Sequence, residues 1–190
     1  TLKHIQLGID LLPEWRPDLL IAFGGGSCLD LAKCIKAYLN CTLSFAEFAK
    51  KLTTNDPLCL ARGVQSIALP TTSGTGSDVT PFASIWDNDN KTKFSLCSEL
   101  IRFDASYVDP ELTYSLPYEI TLNSALDAFN QASESIWNRN WSINSSMYAK
   151  KAIRIGLSNL PLLSNENSIT CKMRRELSLM SLYAGIAISE

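Results

Sequence analysis

The 190-residue sequence predicts an α/β nucleotide-binding unit followed by an all-α part. Three observations carry that expectation. A short apolar run, Leu19-Leu20-Ile21-Ala22-Phe23, ends in Gly24-Gly25-Gly26-Ser27 and passes into helical periodicity. A second apolar run, Ser66 to Leu69, ends in a loop dense in hydroxyls and glycine, Pro70-Thr71-Thr72-Ser73-Gly74-Thr75-Gly76-Ser77. After Pro117 the pattern turns to helices alone.

Taken in order, Leu2, Ile5, Ile9 and Leu12 form a helical stripe from the first residues, and Pro17-Asp18 makes a turn. The run 19–23 suits a strand buried on both faces, as in a parallel sheet. Leu29, Ala32, Ile35, Lys36 and Leu39 continue as a helix, and Phe45 to Leu52 reads as a shorter one before the turn Asn55-Asp56-Pro57. Pro81 to Trp86 and Lys93 to Leu96 flank Asp87-Asn88-Asp89-Asn90 as a hairpin, and Tyr107-Val108 closes a last strand at Asp109-Pro110. Helices follow from Tyr118, with turns at 138–144 and 164–168, and a final stripe of Leu177, Met180, Tyr183 and Ala184. The expected division is therefore 1–117, an α/β dinucleotide-binding domain, and 118–190, the start of a helical metal and substrate domain. Both termini fall inside helical stripes, so the chain reads as a piece of a longer protein.

Composition excludes several classes. Hydrophobic residues make up 46% and charged residues 19%, ordinary for a globular protein, and a net charge of −2 offers no footprint for nucleic acid or an anionic membrane. There is no 20-residue apolar run to span a bilayer and no signal-peptide pattern at the start. The six cysteines form no Cys-x-x-Cys pair and histidine occurs once, which leaves no zinc knuckle. They are expected to be reduced, mostly buried thiols of a cytoplasmic protein. His4 is expected to be an ordinary surface residue, and Lys172, Arg174 and Arg175 a solvated helical face.

Gly24, Gly25, Gly26 and Ser27 sit where a strand hands over to a helix, so the first-turn amides and the positive end of the helix dipole face an incoming anion. A tight turn with a good cap would use the same residues. Asp30 is placed either to cap amides or to bond a loop. Hydroxyls and free amides in Thr71, Thr72, Thr75 and Ser77 suit phosphate or ribose oxygens, against the alternative of a solvated loop; Lys93, arriving from the hairpin, is the candidate cation. Asp127 and Gln131 lie four residues apart on one helix face, with Glu134 continuing that face. Two donors can open a metal site but not close one.

These motifs together resemble the iron-containing (group III) alcohol dehydrogenase family, relatives of glycerol dehydrogenase and dehydroquinate synthase. The resemblance is carried by Gly24-Gly25-Gly26-Ser27 with Asp30 and Lys33, and by Pro70 through Ser77. It runs on through Asp109-Pro110-Glu111-Leu112, Leu116-Pro117, Leu126-Asp127-Ala128 and Glu134-Ser135 to Ala184-Gly185-Ile186-Ala187. Pro81-Phe82-Ala83, Trp86-Asp87, Lys93-Phe94-Ser95-Leu96 and Glu134-Ser135-Ile136-Trp137-Asn138 are similar to the phosphonoacetaldehyde reductase branch; Trp86 and Trp137 serve equally as core aromatics.

The resemblance implies a Rossmann-like domain and a helical domain, both incomplete, in a dehydroquinate synthase-like fold. It implies that Gly25, Gly26 and Ser27 meet the pyrophosphate of NAD(P), and that Thr71, Thr72, Thr75, Lys93 and Leu112 surround the ribose and nicotinamide. Asp127 is then the first ligand of Fe2+ or Zn2+, a Lewis acid on the oxygen of a small alcohol or aldehyde. A homodimer is the candidate assembly. Three departures accompany it. Gln131 stands where the family has histidine, two further family histidines fall past Glu190, and the segment reading the adenosine ribose precedes Thr1. The chain by itself is therefore expected to be inactive. A catalytically silent nucleotide-binding homologue and a dehydroquinate synthase-like lyase are the alternatives.

Overall fold

The computed structural model describes residues 1–12, 16–88 and 90–190. The α/β part contains α1 (Leu2–Asp10), β1 (Leu19–Gly24), α2 (Gly26–Leu39), α3 (Phe45–Thr54), β2 (Gln65–Pro70), β3 (Phe82–Asp87), β4 (Thr92–Cys97) and β5 (Ala105–Ser106). A 3-10 turn, Pro110–Thr113, leads to three helices: α4 (Tyr118–Trp137), α5 (Ile143–Asn159) and α6 (Cys171–Ser189). β1, β2 and β5 form a parallel sheet in the order β1-β2-β5, and β3 pairs with β4 as an antiparallel hairpin. Asp89, in the expected hairpin turn, lies outside the described residues. The last strand falls two residues before Tyr107-Val108, although the Tyr107 amide still bonds the Ala68 carbonyl.

Local chemistry accounts for the helix ends. Ser44 and Glu47 form a reciprocal capping box at the start of α3, and Asn55 closes that helix in the left-handed conformation. Ser142 and Thr170 cap α5 and α6 with their hydroxyls. The helical core is built on small residues of α4 and α5 (Ala125, Ala128, Ala132, Ala152) facing Leu177, Met180 and Ala184 of α6. Such small side chains let helices approach closely. On the other side, α1, α2, α3 and the hairpin close over Ile5, Phe48, Leu52, Ile85 and Ile101.

β1 is not buried on both faces, contrary to the expectation from its apolar run. Leu20 and Ala22 turn toward α2, while Leu19, Ile21 and Phe23 are 43%, 59% and 59% exposed. The strand lies at a sheet edge, and no helix among the described residues covers its outer face. Apolar composition signals a strand with two faces to bury; it does not supply the second layer. The six cysteines are free, as expected, but Cys28, Cys59, Cys97 and Cys171 are exposed and only Cys34 is fully buried. Arg174 also departs from expectation. It is 5% exposed and donates to Thr121 Oγ1 at 2.7 Å and to the Leu116 carbonyl at 2.8 Å, tying the first turn of α6 to the start of α4.

The hydroxyl loop packs closely on the helical part at Gly76. Gly76 has φ +60°, and a methyl group there would lie 2.5 Å from Gly185 Cα. Gly76→Ala is expected to destabilise the protein by about 2 kcal/mol or more, from the left-handed backbone and the backbone clash together. Urea unfolding measures it; a loss below about 0.5 kcal/mol, the range of a surface substitution, would show that the contact is not tight.

Candidate functional site

Two loops meet because two strands do. β1 and β2 pair in parallel from Leu19↔Gln65 to Gly24↔Pro70, so both chains leave the sheet at the same end, side by side. Ligands in α/β sheets collect outside that carboxyl end. The Thr71 amide bonds the Gly24 carbonyl at 3.0 Å. A Cβ on Gly25 would come 3.1 Å from Thr72 Cγ2, and one on Gly26 would come 2.6 Å from Thr75 Oγ1. Any side chain at Gly26 would therefore push the loops apart. Gly25 caps α2 without a side-chain bond, which leaves the first-turn amides of Gly26 and Ser27 to face outward from the helix start. Ser27 and Thr75 are exposed, and Thr71 and Thr72 half-buried, so the two loops present hydroxyls and amides on a shared rim.

Beneath that rim lies a polar cluster of Asp30, Lys33, Ser77 and Thr80. Asp30 does not cap α2: its Oδ1 accepts from Ser77 Oγ at 2.6 Å and its Oδ2 from the Ser84 amide at 2.9 Å. Of the two placements considered for it, the loop bond is the one adopted. Lys33, completely buried, donates to Ser77 Oγ (3.0 Å), Thr80 Oγ1 (3.0 Å) and the Phe82 carbonyl (2.8 Å). The Ser77 hydroxyl is thus engaged by both Asp30 and Lys33. One turn later Lys36 donates to Ser66 Oγ, the Arg102 carbonyl and Asp104 Oδ2. Burial works against the charge on Asp104, but the bonds from Lys36 and Ser66 outweigh it and hold the carboxyl below its ordinary range. Asp78, bonded by Ser106 Oγ at 2.7 Å, goes the other way because burial dominates.

The remaining expected residues are carried by β4, the 3-10 turn and α4. Lys93 is exposed on β4, with its ammonium 5.6 Å from the Trp86 ring centroid, in a cation–π contact. Trp86 in turn lines a cavity of about 330 Å³ with Ser27, Asp30, Ser84 and His4. His4 is exposed, as expected, with Nδ1 3.2 Å from Thr1 Oγ1. Leu112 is half-buried in the 3-10 turn that Asp109 caps. A cavity of about 490 Å³ between Tyr114, Tyr118, Cys171 and Arg174 opens at the starts of α4 and α6, away from both loops. On α4, Ser124 abuts Gly74 of the hydroxyl loop, and Asp127 follows one turn further along the helix. Asp127 is exposed and accepts from Gln131 Nε2 at 2.9 Å. Glu134 accepts from Asn130 Nδ2, a local surface bond.

Residues 1–110 match the family model of the iron-containing alcohol dehydrogenases. The chain belongs to that family. It is 32% identical over its whole length to a 1-propanol dehydrogenase of Citrobacter freundii, of which it spans 46%. It is 33% identical over 149 residues to a phosphonoacetaldehyde reductase of Streptomyces viridochromogenes, matching 77% of this chain and 36% of that protein. In structure it resembles the sulfoacetaldehyde reductase of Bifidobacterium kashiwanohense in complex with NAD+ (TM-score 0.86, 26% identity, 98% of this chain and 48% of the other). An iron-containing alcohol dehydrogenase of Thermotoga maritima superposes over the full chain and half of its own (TM-score 0.83, 26% identity). The chain thus spans about half the length of these relatives, and the α/β layout with a helical part is that of the iron-containing dehydrogenases.

The family's name implies iron, and the donor set here fits it only in part. Asp127 brings one carboxylate. Gln131 brings an amide whose N–H, not its oxygen, now faces that carboxylate. Among the described residues no group of three or more His, Cys, Asp or Glu side chains is placed to hold a metal ion. An amide oxygen is also a poorer donor to iron or zinc than imidazole. Gln131→His in the whole protein is therefore expected to raise zinc and iron affinity by about tenfold or more. Equilibrium dialysis with metal analysis measures it, and unchanged affinity would mean that this face takes no part in metal binding.

Proposed function

We propose that this chain is the dinucleotide-holding part of an NAD(P)-dependent oxidoreductase of small alcohols and aldehydes. The adjacency of the glycine and hydroxyl loops at the ends of β1 and β2 carries the proposal. Gly25, Gly26 and Ser27 bind the pyrophosphate through amides at the start of α2, where the helix dipole favours negative charge. Thr71, Thr72 and Thr75 give hydroxyls to phosphate or ribose oxygens, with Gly24 allowing the turn between strand and helix. Lys93 and Leu112 bound the nicotinamide end, one by charge and one by apolar contact. Bound there, the nicotinamide supplies or accepts a hydride, and the chain's part is to hold and orient it. Asp127 and Gln131 mark where a metal, Fe2+ or Zn2+, would begin to be held.

A small alcohol or aldehyde is the substrate class, and phosphonoacetaldehyde the finer candidate. Two relatives are named for aldehydes that carry a phosphonate or a sulfonate. A cytoplasmic setting and a homodimer complete the reading. The second reading, a catalytically silent nucleotide-binding homologue, is favoured by the Gln131–Asp127 hydrogen bond, which turns a donor pair inward upon itself.

The whole protein is expected to bind NADH or NADPH, and Gly26→Val to weaken that binding at least tenfold, about 1.4 kcal/mol. Fluorescence titration reads this, and undiminished affinity in the variant would place the dinucleotide elsewhere. The 190-residue chain alone is expected to turn over neither 1-propanol nor phosphonoacetaldehyde with added iron or zinc. A spectrophotometric assay of NAD(P)H formation and consumption checks it. Measurable hydride transfer would show that two donors on α4 suffice.

A further inference from the structure

The Lys33 ammonium touches the hydroxyl loop, the chain after it and the hairpin at once. It has three N–H bonds and three acceptors: Ser77 Oγ, Thr80 Oγ1 and the Phe82 carbonyl. Asp30, one turn earlier on the same helix, takes the Ser77 hydroxyl and the Ser84 amide, so the two side chains grip the same segment from α2. That helix begins at the glycine loop. The spacing between the two rims is therefore set through α2, by side chains that lie beneath both loops. Resting on the cofactor reading above, we propose that Lys33 is a positioning residue for the dinucleotide. Its ammonium holds the hydroxyl loop against the helix that carries the glycine loop, and cofactor affinity follows its protonation.

The surroundings make that protonation a real variable. Burial is the dominant influence and brings Lys33 down from 10.5 to about 8. Asp30, with Oδ1 4.0 Å away, and Asp78 of the loop oppose it by favouring the charged form. Cys34 on α2 acts in the same direction, more weakly, and Arg102 acts against it. The Cys34 thiol is pushed up to about 12, first by its own burial, so it stays protonated through the interval that matters. The Phe103 ring, 5.8 Å from the ammonium, completes the enclosure. Deprotonation removes the positive charge and one N–H donor: the Phe82 carbonyl and Ser77 Oγ, whose own proton goes to Asp30, take the remaining two, and the Thr80 hydroxyl must turn its proton to the amine lone pair, so all three contacts lose their charge assistance.

Stability responds in the opposite sense. The unfolded chain keeps its lysine protonated up to about 10.5, the ordinary value, while the folded chain releases the proton near 8. Between these values the unfolded state holds more protons, and this group's contribution to folding stability rises with pH. The Cys34 thiol works the other way above its ordinary value of 9.0, so folding is followed separately from affinity.

The test is dinucleotide affinity of the whole protein from pH 7 to pH 9, with folding followed by circular dichroism. The wild type is expected to weaken by up to about tenfold, as one proton is lost. Lys33→Met, similar in length and without charge or donors, is expected to bind about tenfold more weakly at pH 7 and to show no such decline. Thr80→Val removes one acceptor without touching the loop rim, and is expected to move the decline to lower pH. If Lys33→Met folds and follows the wild type at every pH, the inference is wrong. If Lys33→Met does not fold, the Thr80→Val profile decides, and an unmoved midpoint overturns the inference. Wild-type binding with unshifted variants defeats this inference alone; no binding by the wild type defeats the cofactor reading as well.

Discussion

Six residue pairs of parallel backbone, Leu19↔Gln65 through Gly24↔Pro70, decide where everything else in the site can be. Parallel pairing points both strands the same way, so the glycine loop and the hydroxyl loop emerge at one end, one strand spacing apart. In an antiparallel pair the same two loops would leave at opposite ends of the sheet. The Thr71–Gly24 backbone bond and the packing of Thr75 on Gly26 follow directly from that register. A slip of β2 by one residue would turn Ala68 out of the core and bring Ile67 in.

The site is held from inside the protein by charge. α2 carries two buried lysines one turn apart, and each is surrounded by hydroxyls and carbonyls more than by carboxylates. Lys36 has Asp104 in direct contact; Lys33 has Asp30 only at 4.0 Å. That difference separates their roles. A paired ammonium is an ordinary brace for the sheet, whereas a fully buried one without a close carboxylate sits near its ionisation limit and responds to the field around it. The helical part joins the same frame through Gly76 against Gly185 and through the Ser73–Ser178 hydroxyl pair at 3.0 Å. The loop that faces a ligand is thereby clamped between α2 and α6.

Much of the fold was legible because local signals agreed. The apolar runs ending in glycine or hydroxyl loops, the helical stripes and the hairpin around Asp87 each match an observed element. Of the site, the two rims were legible as composition: glycines at a helix start, and hydroxyls where a core would not place them. Asp30 was legible as one of two placements. The bonds of Ser77 to Asp30 and Lys33 were not legible, because a hydroxyl in such a loop carries no sign of which way it turns. Lys33 and Arg174 were misread or passed over for a related reason. Lysine and arginine on a helix are normally solvated, and only a neighbouring element that supplies acceptors makes their burial tolerable. Lys36, standing within the apolar stripe of Leu29, Ala32 and Ile35, was the one available hint.

Sequence alone determined the order of elements, the strand-to-helix handover at Gly24–Ser27, and the family resemblance, since these depend on residue types close together along the chain. Tertiary structure decided which face of β1 is covered, that Asp30 and Ser77 brace the loops, and that Lys33 ends inside the protein on acceptors 44 to 49 residues away. It also decided that Gln131 presents its N–H to Asp127. Side-chain burial and hydrogen-bond direction belong to contacts between distant segments, and no local pattern encodes them.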